Sequence, residues 1–220
     1  MSMTIVCGID EAGRGPVIGP LVIAGACIDE KELSALECIG VKDSKLLSPT
    51  QRTQLYFQIT SILKQYEIII IAPEKIDAAV LDKKTMNLNW LEAITSAKII
   101  DVLKPDKAYI DCPSTNIQAY SHYIREKLVH KKTELICEHK ADATYVICSA
   151  ASILAKVTRD KEIEKIKKEV GIDFGSGYPS DPYTVAFLQK NWNKHDFFRK
   201  SWASWQKYNT AKKQKKLGEF

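Results

Sequence analysis

Apolar residues in this chain fall into short blocks, and the spacing within each block predicts the element it forms. Residues 4–8 are a short apolar run that reads as a strand, with the acids Asp10 and Glu11 at its end. Residues 21–28 (LVIAGACI) are continuously apolar, as expected of a strand buried on both faces. The short turn between the two runs predicts an antiparallel pair. Asp29 opens a short helix, with Glu32 as a capping-box partner, that ends near Gly40. Residues 41–49 are a loop, and Ser48-Pro49 is a helix start with the proline at the first helical position. That helix runs to about residue 65 and places Leu55, Ile59, Ile62 and Leu63 on one face.

Residues 67–72 (EIIIIA) form a β-branched strand that Pro73 ends, and a short helix covers 76–81. A longer helix begins at Thr85 and stops before Pro105. Residues 107–111 (KAYID) are a strand that again ends in an acid, 117–128 a helix and 134–138 a strand. Residues 143–170 read as one long helix, apolar all round in its first half and charged in its second, with Gly171 as its stop. A rigid loop at 175–182 displays Tyr178, and helices over 182–191 and 200–212 follow. Strands joined by helices imply parallel pairing. The fold class expected is α/β, a mixed five-stranded sheet flanked by helices with a helical C-terminal part. The organisation expected is a catalytic domain over 1–170, a helical part over 171–212 packed on it and contributing to the substrate site, and a flexible tail over 213–220.

Composition narrows this picture. With 220 residues, 45% hydrophobic and 27% charged, the chain is globular rather than disordered. The net charge of +5 is uneven: residues 200–216 carry many lysines and no acid, which suggests an anionic partner. None of the six cysteines forms a Cys-x-x-Cys pair, so buried free thiols in a reducing compartment are expected. The four histidines do not cluster at metal spacing. With strand and motif beginning at once and no apolar run near the ~20 residues that span a bilayer, a cytoplasmic location is expected. Trp192, Trp202 and Trp205, with Phe197 and Phe198, are expected to pack the C-terminal helices.

The candidate chemistry centres on residues 9–16 (IDEAGRGP). Carboxylates hold a hard cation such as Mg²⁺, and glycines let backbone N–H groups approach an anion. Successive strand residues face opposite ways, so Asp10 and Glu11 are expected to share a site only where the strand breaks, at Gly13. Asp111 ends another strand, and Asp142 opens the long helix. Sites in open α/β sheets form outside the carboxyl ends of strands. If the first and fourth strands are neighbours, Asp10, Glu11, Asp111 and Asp142 converge there. Two divalent ions ~3.5–4 Å apart would neutralise them and build a phosphoryl-transfer site.

These residues carry a resemblance. Residues 8–16 (GIDEAGRGP), 43–45 (DSK), 109–111 (YID), 139–142 (HKAD), 149–156 (SAASILAK) with Arg159-Asp160, and 175–181 (GSGYPSD) resemble, in order, the motifs of type 2 ribonuclease H, in its archaeal and eukaryotic-like branch. The resemblance implies an RNase H-like fold. It implies an endonuclease that hydrolyses the RNA strand of RNA/DNA hybrids and cuts 5′ of single ribonucleotides embedded in duplex DNA. Asp10, Glu11, Asp111 and Asp142 would be both catalytic and metal-binding, with two Mg²⁺ or Mn²⁺ ions, leaving 3′-hydroxyl and 5′-phosphate ends. Gly13, Arg14 and Gly15 would read the ribonucleotide 2′-hydroxyl. Tyr178 would pack on the sugar of the following deoxynucleotide, and Lys42, Ser44 and Lys45 would hold phosphates. Leu46 stands where many members carry another lysine. Type 3 members have a long N-terminal extension and a glutamate as the last acid, so type 2 fits better.

In the tail, Gln214, Leu217 and Phe220 are spaced like the motif that docks replication proteins on the sliding clamp. Nothing demands a partner subunit, so a monomer is expected. Junction resolvases and integrases use clustered acids too, but the Gly-Arg-Gly turn argues against them. The alternative from another class is a non-catalytic sliding-clamp-associated nucleic-acid-binding protein, in which the acids would be structural.

Overall fold

The computed structural model describes residues 3–41, 47–82 and 84–217, with residues 211–217 described by their backbone alone. The elements in chain order are β1 (Ile5–Ala12), β2 (Leu21–Asp29), a 3₁₀ turn (Glu30–Glu32), α1 (Leu33–Cys38), α2 (Pro49–Ile62), β3 (Gln65–Ile71), α3 (Pro73–Leu81), α4 (Leu88–Leu103), β4 (Lys107–Asp111), α5 (Ile117–Lys127), β5 (Glu134–Glu138), α6 (Ala141–Thr144), α7 (Val146–Val170), α8 (Pro182–Asn191) and α9 (Ala203–Leu217). They divide between two compact units, one of residues 1–12, 22–70 and 88–158 and one of residues 13–21, 71–87 and 159–220.

The first unit is built on the predicted mixed five-stranded sheet, in the order β3-β2-β1-β4-β5. β1 runs antiparallel to β2, from Ile5 opposite Asp29 to Ala12 opposite Val22. On its other side β1 is parallel to β4, from Val6 opposite Lys107 to Ile9 opposite Ile110. β4 is parallel to β5, with Asp111 opposite Glu138. The run 21–28 is buried throughout, as its unbroken hydrophobicity requires. One face of the sheet packs on the apolar first half of α7, where Ile147, Cys148, Ala150, Ala151, Ile153 and Leu154 are buried. Gly8 lets the helix approach closely: a Cβ there would stand 2.3 Å from the backbone carbonyl of Ile147. Against the opposite face lies α4, since a Cβ on Gly25 would meet Ile99 at 2.3 Å.

The second unit has its own apolar core, made by Val17, Ile18, Ile163, Phe174, Phe187, Leu188, Phe198 and Trp205, with Trp192, Phe197 and Trp202 packed against it. The C-terminal aromatic residues are therefore core residues, as expected.

The helix expected to run to about 65 ends at Ile62, because Leu63 turns extended and Gln65 opens β3, and the short helix expected over 76–81 begins at Pro73. Four further boundaries differ from expectation, each for a local reason. β1 does not stop before its acids but pairs with β2 through Ala12, so Asp10 and Glu11 lie inside the strand. The helix expected from 85 starts at Leu88, because Asp82 accepts hydrogen bonds from Lys84 N, Thr85 N and Thr85 Oγ1 and ties those residues into a turn. The long helix expected over 143–170 is two helices, α6 and α7, separated by Tyr145 in extended conformation. The tyrosine hydroxyl donates to Glu138 Oε1 at 2.8 Å, and its ring lies 4.3 Å from that of Tyr109. The last helix is Ala203–Leu217 rather than 200–212. Elsewhere the local signals hold: Ser48 and Gln51 form a full capping box on α2, and Asp29 caps the 3₁₀ turn by accepting from Lys31 N. Cys7, Cys27, Cys112 and Cys148 are buried free thiols, while Cys38 is exposed.

Gly8→Ala puts a methyl group into helix backbone that cannot move aside. The substitution is expected to destabilise the protein by about 3 kcal/mol or more, at the upper end of overpacking costs, read as a fall in the guanidinium midpoint with unchanged slope. A midpoint within error of the parent would refute the close packing of β1 on α7.

Candidate active site

Parallel pairing with β4 ends at Ile9 opposite Ile110, so Asp10 and Asp111 are the next residues on adjacent strands. Strand alternation sets Gly8 and Asp10 on the α7 face and Glu11 on the other. Yet one carboxylate oxygen from each of Asp10, Glu11 and Asp111 lies within 4.8 Å of the others. A break at Gly13 is therefore not what joins Asp10 to Glu11. The β4 ladder stops before Asp10, and the three carboxylates meet beyond the end of that pairing.

Asp10 is 5% exposed. Burial raises its carboxyl to about 7; a hydrogen bond from Ser152 opposes this, the Asp111 charge adds to it, and the Glu11 N–H and the Lys156 charge oppose it further. The Glu11 N–H donates to Asp10 Oδ1 at 2.7 Å. On α7, Lys156 Nζ donates to Ser152 Oγ at 2.8 Å, so this lysine belongs to the surroundings of Asp10. Asp111 is fixed by an N–H too: Ala141 N donates to its Oδ1 at 3.0 Å, at the start of α6. Asp142, the next residue, lies outside the group of three, half-buried in the first turn of that helix. Its backbone carbonyl accepts from Ser149 Oγ. Burial pushes the Cys148 thiol well up, and the charges of Asp10, Asp111 and Asp142 push it further. His139, on the way into α6, is held by a 2.9 Å hydrogen bond between its Nδ1 and the Cys112 carbonyl.

The donor set suits a hard divalent cation. Three carboxylates offer only oxygen, and a cation beside Asp10 would offset the cost of burying its charge.

The second unit gathers a different set. Gly13 has φ +88°, and a Cβ there would meet Arg159 Cδ at 2.4 Å, so glycine is required for both conformation and space. Tyr178 lies over Gly15, its ring 3.6 Å from where a Cβ would stand. Arg159 is buried rather than solvated, and burial lowers its pKa. Its guanidinium sits 5.2 Å from the Tyr178 ring centre, and Nη2 donates to Ser176 O at 3.2 Å. Gly13, Gly15 and Tyr178 are thus brought together within one unit. Lys42, Ser44, Lys45 and Phe220 lie outside the described residues, and Gln214 and Leu217 fall on the part of α9 described by backbone alone. The sequence reading passed over Arg199 and Asp77. Arg199 is fully buried, and its only sequence signal is a charge inside the aromatic run 197–202.

A mixed sheet whose central parallel strands carry neighbouring aspartates just beyond the last residues paired between them, one of them desolvated, is the frame of an RNase H-type fold with an acidic cluster suited to a cation. Comparison with known proteins gives the family. The family model described as Ribonuclease HII matches residues 7–205. Ribonuclease HII of Pyrococcus furiosus is 47% identical over 95% of this chain and 93% of its own length. Ribonuclease HII of Methanococcus maripaludis strain C6 is 48% identical over 91% and 85%. The crystal structure of ribonuclease H2 from Pyrococcus horikoshii superposes with a TM-score of 0.88 at 42% identity, over 96% of this chain and all of that one. The chain belongs to the ribonuclease HII family and is a ribonuclease H enzyme, a phosphodiester hydrolase.

A carboxyl whose pKa is raised on folding stabilises the fold at low pH and loses that contribution as pH rises from its ordinary value of 3.8 through about 7. A divalent cation competes with that proton. The rise in Tm caused by Mg²⁺ or Mn²⁺ is therefore expected to be larger at pH 8 than at pH 5.5, and Asp10→Asn should abolish the difference. Equal rises at both pH values in the parent protein would refute this linkage.

Proposed function

We propose that the enzyme hydrolyses the RNA strand of RNA/DNA hybrids and cuts on the 5′ side of single ribonucleotides in duplex DNA, leaving 3′-hydroxyl and 5′-phosphate ends. The observation that carries the reading is the meeting of the Asp10, Glu11 and Asp111 carboxylates just beyond the last residues paired between β1 and β4, in a chain of the ribonuclease HII family. In this reading Asp10, Glu11, Asp111 and Asp142 hold divalent cations, Mg²⁺ or Mn²⁺. Such ions, when bound, lower the pKa of the attacking water and stabilise the departing oxygen. Asp10 gives up its proton to serve as a ligand. Ser152 and the Glu11 N–H keep its carboxylate aimed, and the Ala141 N–H does the same for Asp111.

Selection of the ribonucleotide falls to Gly13, Arg14 and Gly15, which read its 2′-hydroxyl. Tyr178, backed by Arg159, packs on the sugar of the next deoxynucleotide. Gly13 follows Glu11 by two residues, so the carboxylates and the turn are joined by a very short stretch of chain. Lys42, Ser44 and Lys45 hold flanking phosphates.

A sliding clamp is the proposed protein partner. The Archaeoglobus fulgidus relative, 43% identical with a TM-score of 0.75 over 84% of this chain and 86% of its own, was solved as a PCNA:RNase HII complex. In this chain the docking residues would be Gln214, Leu217 and Phe220.

With Mg²⁺ or Mn²⁺, the enzyme is expected to cut a DNA duplex carrying one ribonucleotide on its 5′ side, and EDTA to stop cleavage. Asp10→Asn or Asp111→Asn should each lower kcat by about a thousandfold or more, the several kcal/mol a metal ion supplies to the transition state. Full activity in either variant would refute the assignment. Deleting residues 214–220 should abolish binding to an immobilised clamp and leave cleavage of a short free duplex unchanged. Clamp binding that survives the deletion removes the tail's role.

A further inference from the structure

We infer that Arg199 is the positioning residue that sets the Gly13–Gly15 turn for recognition of the ribose 2′-hydroxyl, an inference that rests on the reading of that turn proposed above. Arg199 has no exposed surface. Its donors go to backbone carbonyls of residues far away in sequence: Nη2 to Gly13 O at 2.6 Å, Nη1 to Arg14 O at 2.9 Å and Nε to Gly19 O at 3.0 Å. Trp202 takes the next carbonyl, its Nε1 donating to Gly15 O at 3.0 Å, and its ring lies 4.9 Å from the guanidinium. One planar fork and one indole therefore hold three consecutive carbonyls of the turn and a fourth beyond it.

Peptide geometry turns that grip into a directed display. The C=O of one residue and the N–H of the next point opposite ways across a trans peptide, and the described residues contain no cis peptide. With the Gly13 and Arg14 carbonyls drawn to the guanidinium, the N–H groups of Arg14 and Gly15 point away from it. The held carbonyls of Gly15 and Gly19 are followed by Pro16 and Pro20, which have no N–H. The grip thus turns the N–H groups of Arg14 and Gly15 to the side away from the guanidinium. The buried cation behind the carbonyls also polarises those two peptides, making their N–H groups stronger donors toward a hydroxyl or phosphate oxygen.

Arg199 is itself anchored. Its N–H donates to Val17 O at 2.9 Å, Ile18 forms an antiparallel bridge with Phe198, and Gly19 N donates to Phe197 O at 2.9 Å. On the next two residues, the Asp77 carboxylate of α3 accepts from Lys200 N at 2.7 Å, Ser201 N at 2.8 Å and Ser201 Oγ at 2.5 Å.

The test is affinity for two duplexes of the same sequence, one with a single ribonucleotide and one all-DNA, measured by fluorescence anisotropy in EDTA so that nothing is cut. The proteins are the full-length parent, Arg199→Lys and Trp202→Phe. The phenylalanine keeps a ring on the guanidinium and removes only the N–H to Gly15, so it remains decisive if the lysine variant does not fold. Each folded variant should weaken binding of the ribonucleotide duplex by about tenfold, the worth of one hydrogen bond, and leave all-DNA binding unchanged, so that discrimination is lost. Folded variants that still discriminate as the parent does, or that lose both affinities equally, overturn the inference and leave the reading of the turn standing. A parent protein that binds both duplexes equally overturns the reading of the turn and the inference together.

Discussion

The parallel register of β1 with β4 is the constraint on which the chemistry depends. Ile9 faces Ile110, so the chain can only continue into Asp10 beside Asp111. Both strands are interior to the sheet, and Gly8 brings α7 against β1 two residues before the acid. Asp10 is therefore set deep in packed structure, where a lone negative charge is costly. Ser152, the Glu11 N–H and the charge of Lys156 partly relieve that cost. Glu11 and Asp111 bring two more carboxylates within 4.8 Å, and the proposed cation would offset what is left over.

The second unit buries charge of the opposite sign. Arg199 sits among backbone carbonyls, whose partial negative charges solvate the guanidinium and are ordered by it in return. Arg159 is buried too, between the Gly13 backbone, the Ser176 carbonyl and the Tyr178 ring. In the first unit, carboxylates, one of them buried, gather where the proposed cations would sit. In the second, buried charge creates stiffness in a segment whose glycines would otherwise be loose.

Much of this was legible in the chain. Unbroken apolar runs gave the strands, Ser48-Pro49 gave a capped helix, and of the four acids singled out after apolar runs Asp10, Glu11 and Asp111 do come together, while Asp142 lies outside their group. The less legible features were those decided by distant residues. Tyr145 is an ordinary helix residue by propensity, and α7 is parted from α6 because its hydroxyl reaches Glu138 and its ring meets Tyr109. Thr85 looked like a helix start until Asp82 claimed it. Glu11 appeared to need a broken strand to join Asp10, because alternation describes Cβ directions and not where carboxylate oxygens meet. Arg199 and Asp77 gave no local sign of their roles, since their partners lie more than a hundred residues away.

Telling ribose from deoxyribose means detecting one hydroxyl, worth about 0.5–1.5 kcal/mol as a net hydrogen bond. So small a difference is lost if the donors that read it can relax onto a deoxynucleotide equally well. Specificity then depends less on how many groups contact the sugar than on how little those groups can move. Glycine at 13 is needed for its φ of +88° and for the space that Arg159 takes, yet glycine is the residue least able to hold itself still. Holding its carbonyls from behind would resolve that conflict in the proposed reading, with the conformation imposed by residues behind the turn. A rigid turn built on glycine is possible only when something else supplies the rigidity, and in this chain Arg199, Trp202 and the Gly177 carbonyl that receives Val17 N at 2.9 Å hold it.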